Sequence, residues 1–300
     1  MPKRIHQMTF AQWEKAFPHD DACRAYLVAN RWPNGVCCPR CGACDKIGAI
    51  KTMAFKWQCY SCSPRSGYRF SVIAGTIFEN TNKPLRDWFR VIHLMLTSKK
   101  GISALQIHRM MGFGSYETAW YMCHRVRAAL ANEDFRKLMG IVEVDETWVG
   151  GKDTNRHLDK RVHRKWSKDP LKFEVIGAVE RKGNVVCRVL EDVAPYIYQD
   201  FVREVVSNKC SLLATDEFMG YRGLDRDYNH GKANHSQRKY VVGAIHTNTI
   251  EGFWSLIKRG VMGSYHKVSR KYLPLYVAEF QFRYNNRSNP DIFGAAIRGC

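Results

Sequence analysis

An α/β architecture is what this sequence predicts: a mixed sheet flanked by helices, preceded by a small cysteine-rich module and a helical segment. Three observations predict it. Between residues 141 and 216, apolar strand-like runs are punctuated by a glycine turn and one helix-period stretch. Ahead of them stand two Cys-x2-Cys pairs at the spacing of paired metal knuckles. From Pro84 to Leu130 the apolar residues recur at helical intervals instead. The 300 residues, 45% of them hydrophobic, suffice for one large core and one or two smaller modules.

Residues 1–30 read as an N-terminal helical segment and residues 31–80 as a metal-binding ribbon. Cys38 and Cys41 pair with Cys59 and Cys62 across seventeen intervening residues, within the window of a structural zinc site. Thiolates suit zinc, and two tight knuckles let a module of about 40 residues fold with little core of its own. Cys41-x2-Cys44 offers a second knuckle register, and Cys37 adjoins the first. A redox role for these pairs lacks the neighbouring thioredoxin-like pattern. Eleven cysteines, an odd number, point to metal and free thiols, with Cys23, Cys123, Cys187, Cys210 and Cys300 read as ordinary buried or free thiols. Arg40, Lys46, Lys51, Lys56, Arg65 and Arg69 lean the ribbon towards DNA, although such modules also dock proteins.

Residues 81–135 form the helical segment. Leu85, Trp88, Phe89, Ile92 and Leu96 make one apolar helix face. Ser103-Ala104-Leu105-Gln106 is a capping signal, and Gly112-Phe113-Gly114-Ser115 is a turn before Tyr116 to Leu130. Helix, glycine turn, helix fits a helix-turn-helix whose second helix, with His124, Arg125 and Arg127, enters the major groove. A plain helical hairpin fits the pattern equally well.

Residues 138–290 carry the α/β pattern, leaving 291–300 as a C-terminal tail. Ile141 to Val149 is a β-branched alternating run closing at Gly150-Gly151, with Glu143, Asp145 and Thr147 on one face. A hairpin follows, Phe173 to Val179 and Val185 to Leu190 around Arg181-Lys182-Gly183-Asn184. Next come a helix-period stretch with Ile197, Phe201, Val202 and Val205, then Ser211 to Thr215, which presents Asp216 at the carboxyl end of a buried strand. Thr249 to Arg259 reads as a helix stopped at Gly260, with Glu251 and Lys258 seven apart on one face. Strand, strand, strand, helix, strand, later helix is the order of the ribonuclease-H-like fold. Carboxylates converging from separate elements are what two-metal phosphodiester chemistry requires. The competing reading of Glu251 is a capping box with Asn248 as N-cap.

The chain resembles insertion-sequence transposases with an N-terminal zinc ribbon and a DDE catalytic domain, the ISXO-like group, over nearly its whole length. The resemblance is carried by Cys38-Pro39-Arg40-Cys41, Trp57-Gln58-Cys59-Tyr60-Ser61-Cys62, Phe70-Ser71-Val72, Gly75-Thr76-Ile77-Phe78, Val144-Asp145-Glu146-Thr147, Thr215-Asp216-Glu217, His246 to Trp254 and Glu279 to Asn285. It implies that Asp145, Asp216 and Glu251 are catalytic and ligate two Mg2+ or Mn2+ ions, with Lys258 near a phosphate of the element's end. A carboxylate suits a hard divalent ion better than the amide of Asn248, which favours Glu251 as third ligand. The resemblance and Pro39 also favour Cys38, Cys41, Cys59 and Cys62 as the zinc set. It further implies double-stranded DNA as partner, both inverted-repeat ends and target, and a homo-oligomer, because two ends are cut and joined together.

The formal charge of +19 and pI of about 9.6 suit a polyanionic partner. Arg259 and Lys267, with Lys258 in the cation and ring mixture of Lys258 to Lys271, are expected DNA contacts beside Arg125 and Arg127; a solvated face is the plainer account of such a run. Arg156 to Lys168 is a second basic stretch, a candidate DNA-clamping insertion. Glu279, Arg283 and Arg287 read as an i,i+4 ion-pair ladder or as a DNA-end contact, and His230, His235 and His246 as loop histidines. No apolar run is long enough to span a membrane and Met1-Pro2-Lys3-Arg4 lacks a signal sequence, so a soluble, cytoplasmic, nucleoid-associated prokaryotic protein is expected. The expected activity is metal-dependent strand cleavage and transfer; the alternatives are a zinc-ribbon DNA-binding regulator and a structure-specific nuclease.

Overall fold

The computed structural model describes residues 8–131, 136–151, 157, 172–233 and 245–300. Two compact units emerge, Met1–Leu130 with Asn289–Cys300, and Ala131–Ser288. No helix among the described residues is long and apolar enough to cross a membrane.

In the first unit, α1 (Phe10–Ala16) opens with a capping box between Thr9 and Gln12, and α2 (Asp20–Arg31) follows. Strands β1 (Ile47–Ala49), β2 (Lys56–Cys59) and β3 (Tyr68–Ser71) form an antiparallel sheet in that order. Its small core joins Cys38, Cys59 and Phe70 to Trp32 and Trp57, so rings supply burial that a module this short otherwise lacks. The expected apolar face of α3 (Leu85–Thr97) is buried throughout. Asp20 caps it from α2, its carboxylate accepting from Leu85 N at 3.2 Å and Arg86 N at 3.0 Å. After α4 (Ala104–Met111), Gly112 takes the left-handed conformation at φ 64°, and α5 (Tyr116–Leu130) begins after Ser115.

The second unit is built on a five-stranded sheet. Strands β4 (Ile141–Gly150), β5 (Lys172–Glu180) and β6 (Val185–Val189) form an antiparallel meander, α6 (Pro195–Val205) crosses over, and β7 (Leu212–Thr215) and β8 (His230–Lys232) run parallel to β4. The order β6-β5-β4-β7-β8 makes a mixed, ribonuclease-H-like sheet with β4 at its centre. Period-two alternation decides the two cores. Val142, Val144, Ile176 and Ala178 meet Tyr198, Phe201, Val202 and Val205 of α6 on one face. Val149, Val175 and Val179 meet α7 (Asn248–Gly260) and α8 (Leu273–Asn285) on the other.

Two expectations here are corrected. Gly260 does not stop α7: its φ of −68° is helical, and a π-helical turn, Val261–Tyr265, continues to His266, whose φ of 58° ends it. Residues 291–300 are not a tail, because α9 (Ile292–Gly299) returns to the first unit and packs Phe293 against Phe17, Tyr26 and Phe89. An apolar Ile-Phe pair behind an N-capping Asp291 gains more from burial than from water.

The family-like segment Glu279 to Asn285 has a structural account. Buried Glu279 accepts from Tyr265 Oη at 3.1 and 3.3 Å and lies 3.6 Å from Arg283, the expected i,i+4 pair; Arg287 instead stacks on Tyr284 at 4.2 Å. Asn285 Oδ1 accepts from Val185 N at 2.7 Å, its Nδ2 donates to Val185 O at 2.9 Å, and Gln281 Oε1 accepts from Cys187 N at 2.8 Å. These amides occupy the unpaired rim of β6 and so block edge-to-edge pairing.

Candidate active site

The chain gathers carboxylates where β4 outruns its neighbour. The β4–β7 ladder runs only from Ile141↔Leu212 to Glu143↔Ala214, while β4 continues to Gly150. The rim of β4 beyond that ladder is therefore open on the β7 side, and Asp216, the first residue past β7, faces it. One oxygen from each of Asp145, Glu146 and Asp216 lies within 4.8 Å of the others. Adjacent strand residues point to opposite faces, yet both reach round this open edge.

Each acid is held. Asp145 Oδ2 accepts from Trp254 Nε1 of α7 at 3.0 Å, Glu146 Oε2 from Tyr221 Oη at 2.7 Å, and Asp216 Oδ1 from Phe218 N at 3.0 Å. Burial, with Asp216 nearby, pushes the Asp145 carboxyl up to about 6. Burial also pushes Glu146 up to about 8, with Asp216, Asp145 and Glu174 adding and the Tyr221 hydroxyl opposing. Acids crowded in a partly buried site resist ionising together, and a bound divalent cation relieves that repulsion. The donor set is all oxygen, as hard divalent ions require. The residues present therefore fit a catalytic divalent metal.

The third expected acid is placed differently. Glu251 is exposed on the first turn of α7 and lies outside the close trio, though near enough for its charge to raise Asp145 further. Its Oε1 accepts from Thr247 Oγ1 at 2.9 Å. The capping-box alternative fails as drawn, because Thr247, not Asn248, is the N-cap and it makes no side-chain cap. The first-turn N–H groups of Thr249 and Ile250 instead donate to Glu143 Oε2 at 2.7 and 3.1 Å. Sequence reasoning missed Glu146 as a site member. The available signal was a second acid beside Asp145 in a run whose other positions are apolar or paired.

Gly177 stands opposite Asp145 in the β4–β5 register, and a Cβ there would meet the Trp254 indole at 2.6 Å. The bare backbone is what lets the ring lie flat enough to reach Asp145. Gly177→Ala is expected to destabilise the protein by about 1–3 kcal/mol through overpacking, read as a lower urea midpoint.

A second expectation follows from Glu146. Folding raises this carboxyl from its ordinary 4.5 to about 8, so its contribution is fully present below pH 4.5 and is lost as pH climbs towards 8. At 1.36 kcal/mol per pKa unit, and discounting for partial solvent access, metal-free protein should lose about 2 kcal/mol more between pH 5 and 8 than Glu146→Gln does. Urea melts of both proteins at the two pH values check this.

Lys258, Arg259 and Lys267 are exposed on α7 and the segment after it, with Lys258 on the Glu251 side. Arg125 and Arg127 are not an exposed basic face. Arg127 is 1% exposed within α5, His124 is also buried, and Arg125 stacks over Trp88 at 5.4 Å and donates to Glu79 O at 3.2 Å. These side chains complete the packing of α5 rather than present it to a groove, which corrects the recognition-helix expectation. His230 lies on β8, not in a loop, its ring between Thr215 Oγ1 and Asp225 Oδ1 at 2.8 Å each. The basic stretch 156–168, apart from His157, and His235 fall outside the described residues.

In the ribbon, Cys38, Cys41, Cys59 and Cys62 converge within 4.8 Å, a four-thiol set that suits zinc. Cys37 and Cys44 are joined to each other by a disulfide, which takes Cys44 out of the competing knuckle.

Comparison with known proteins bears on both centres. Residues 137–285 match the ISXO2-like transposase domain and residues 18–65 the transposase zinc-ribbon domain. An uncharacterized protein in transposable element ISH50 of Halobacterium salinarum is 28% identical over 284 residues, covering 90% of this chain and 92% of that protein. Among solved structures, a chain of the simian T-cell lymphotropic virus intasome in complex with PP2A regulatory subunit B56 gamma is similar over 60% of this chain and 68% of its own, at 12% identity. Its TM-score of 0.28 is too low to bear on function.

Proposed function

This chain belongs to the insertion-sequence DDE transposases that carry an N-terminal zinc ribbon, and on that premise we propose that it cuts phosphodiesters at the ends of an insertion sequence and transfers the freed 3′ ends to target DNA. The observation that supports this reading above the rest is the convergence of Asp145, Glu146 and Asp216 at the open rim of β4, with the Glu251 face of α7 beside them. Two Mg2+ or Mn2+ ions bound there would stabilise the attacking and leaving oxygens of the displacement.

The protein's own groups have distinct tasks. Asp145 and Asp216, with Glu146 and Glu251, hold the ions. Trp254 fixes the orientation of the Asp145 carboxylate, as Tyr221 does for Glu146. Lys258, Arg259 and Lys267 pair with phosphates of the end duplex along one exposed track. In the first step a water oxygen bonds to phosphorus while the P–O3′ bond breaks, leaving a 3′ hydroxyl and a 5′ phosphate. In the second, that 3′ oxygen bonds to a target phosphorus, and a target 3′ oxygen leaves. The zinc ribbon contributes to DNA binding, two or more copies act together on paired ends, and the setting is the cytoplasm where the element's DNA lies.

The test is an assay of the purified chain, with Mg2+ or Mn2+, on a labelled duplex bearing the inverted repeat that flanks its coding region. Cleaved and joined products are expected. Cleavage without joining makes the protein a nuclease, and specific binding without cutting makes it a regulator; either outcome overturns the proposal.

A further inference from the structure

Glu143 lies two residues before Asp145 on the same face of β4 and is fully buried. Its carboxylate is surrounded by donors. Oε2 accepts from the backbone N–H groups of Thr249 and Ile250, at 2.7 and 3.1 Å. Oε1 accepts from Thr249 Oγ1 at 2.8 Å and Arg181 Nε at 2.6 Å, and it lies 3.3 Å from His246 Nδ1. Arg181 also donates to His246 O at 3.1 Å, which ties the segment entering α7 to the same cation.

We propose that Glu143 is a positioning residue: it caps α7 from the neighbouring strand and so sets where Glu251 stands beside the acidic cluster. This deepens the transposase reading and rests on that reading for the chemistry. Three physical points support it. The first-turn N–H groups of a helix have no acceptor within the helix, and here Thr247 supplies none through its side chain. A negative charge is favoured at a helix N-terminus, where the backbone dipole is positive. A buried carboxylate is tolerated only when it is paired and hydrogen-bonded, so the donor set specifies one position for the helix rather than a range.

The consequence for the site is geometric. Glu251 directly follows the two residues whose N–H groups Glu143 holds, so displacement of that anchor moves the Glu251 carboxylate with it. Trp254, one turn further on, fixes the same helix to Asp145. Glu143 and Asp145 thus pin α7 to β4 at successive turns, the first charge serving position and the second serving the metal. Nothing about Glu143 requires it to touch DNA or the ions.

The test uses the full chain carrying Glu143→Gln, which keeps the side chain's shape and one oxygen but removes the charge that pairs with Arg181. Mn2+ affinity, measured by calorimetry without DNA, is expected to fall about 10-fold or more, within the range found when groups supporting metal ligands are changed. In the cleavage assay kcat should fall about 10- to 100-fold while KM for the duplex changes less than about threefold. Hydrogen exchange over the first turn of α7 should quicken. In the pair Glu143→Gln with Glu251→Ala, the Mn2+ loss should be no greater than in Glu251→Ala alone, because Glu143 acts through Glu251.

Should Glu143→Gln fail to fold, Thr249→Val removes a single donor, keeps both backbone bonds and should give a smaller loss in the same readouts. A folded Glu143→Gln protein with unchanged Mn2+ affinity and kcat overturns the proposal, as do losses that simply add to those of Glu251→Ala. If the unaltered protein binds Mn2+ but cuts nothing, while Glu143→Gln still weakens that binding through Glu251, the transposase reading fails and the positioning role stands.

Discussion

Asp145→Ala is expected to abolish metal-dependent cleavage of an end duplex, by about a thousandfold or more, roughly 4 kcal/mol of transition-state stabilisation. Asp145 sits on the central strand, belongs to the acidic cluster with Glu146 and Asp216, and has its carboxylate aimed by the Trp254 indole. Loss of a ligand at this position removes charge from the ions and frees the indole together. Asp145→Asn separates the two effects. It keeps an oxygen for Trp254 Nε1 and the same shape, but a neutral amide is a poor ligand for a hard cation.

Asp145→Asn should therefore cleave as poorly as the alanine variant and yet melt higher than the unaltered protein at neutral pH without metal. The raised carboxyl, up to about 6, marks a group whose ionisation is opposed by burial and by Asp216. Removing that charge relieves both, a trade of activity for stability characteristic of functional sites. Thermal melts in chelator, set beside the cleavage assay, read both effects. Cleavage retained by Asp145→Ala would remove the metal mechanism altogether.

The second large effect concerns the ribbon. Purified protein is expected to hold one zinc per chain, and Cys59→Ser should lose it and unfold the module around β1 to β3. Binding to structural thiolate sites supplies about 10–16 kcal/mol of folding free energy in comparable small modules, far more than the few buried rings here can replace. Cys59 is fully buried beside Phe70 at the centre of that core. Cys44→Ser is the control: Cys44 is paired with Cys37 and lies outside the four-thiol cluster, so zinc should stay bound. Zinc content by metal analysis and protease resistance of residues 31–80 measure the outcome. Zinc lost in Cys44→Ser would shift the ligand set to the alternative register, in which Cys44 stands in place of Cys38.

Much of this architecture was legible in the residues. The strands of the second unit announce themselves through their β-branched apolar runs and the hairpin turn, because burial on both faces demands apolar residues at consecutive positions. The thiol knuckles are legible from spacing, since a knuckle is a local structure, although spacing by itself left Cys44 in competition with Cys38. Asp145 and Asp216 stand out because one is an acid within a β-branched strand pattern and the other follows the end of an apolar run, where a buried strand gives way to an edge.

Other features belong to pairs of elements distant in the chain. Whether Arg125 and Arg127 face solvent depends on which side of α5 finds a core, and Trp88 and Glu79 lie outside that helix. Gly260 looks like a stop until the turn after it is packed, with Val261 and Tyr265 against the core under α7 and α8 and the Tyr265 hydroxyl on Glu279. Residues 291–300 look like a tail until Phe293 meets rings from near the start of the chain.

By itself, then, the sequence marked most of the elements, the thiol knuckles and two of the clustered acids, because each is encoded by spacing within one strand, turn or helix. Only the tertiary structure decided that Glu146 joins them, that Glu251 stands one step back, and that Glu143 caps the helix between. Those outcomes turn on where β7 ends beside β4 and which buried charge α7 meets, and such contacts exist only once residues a hundred positions apart have been packed together.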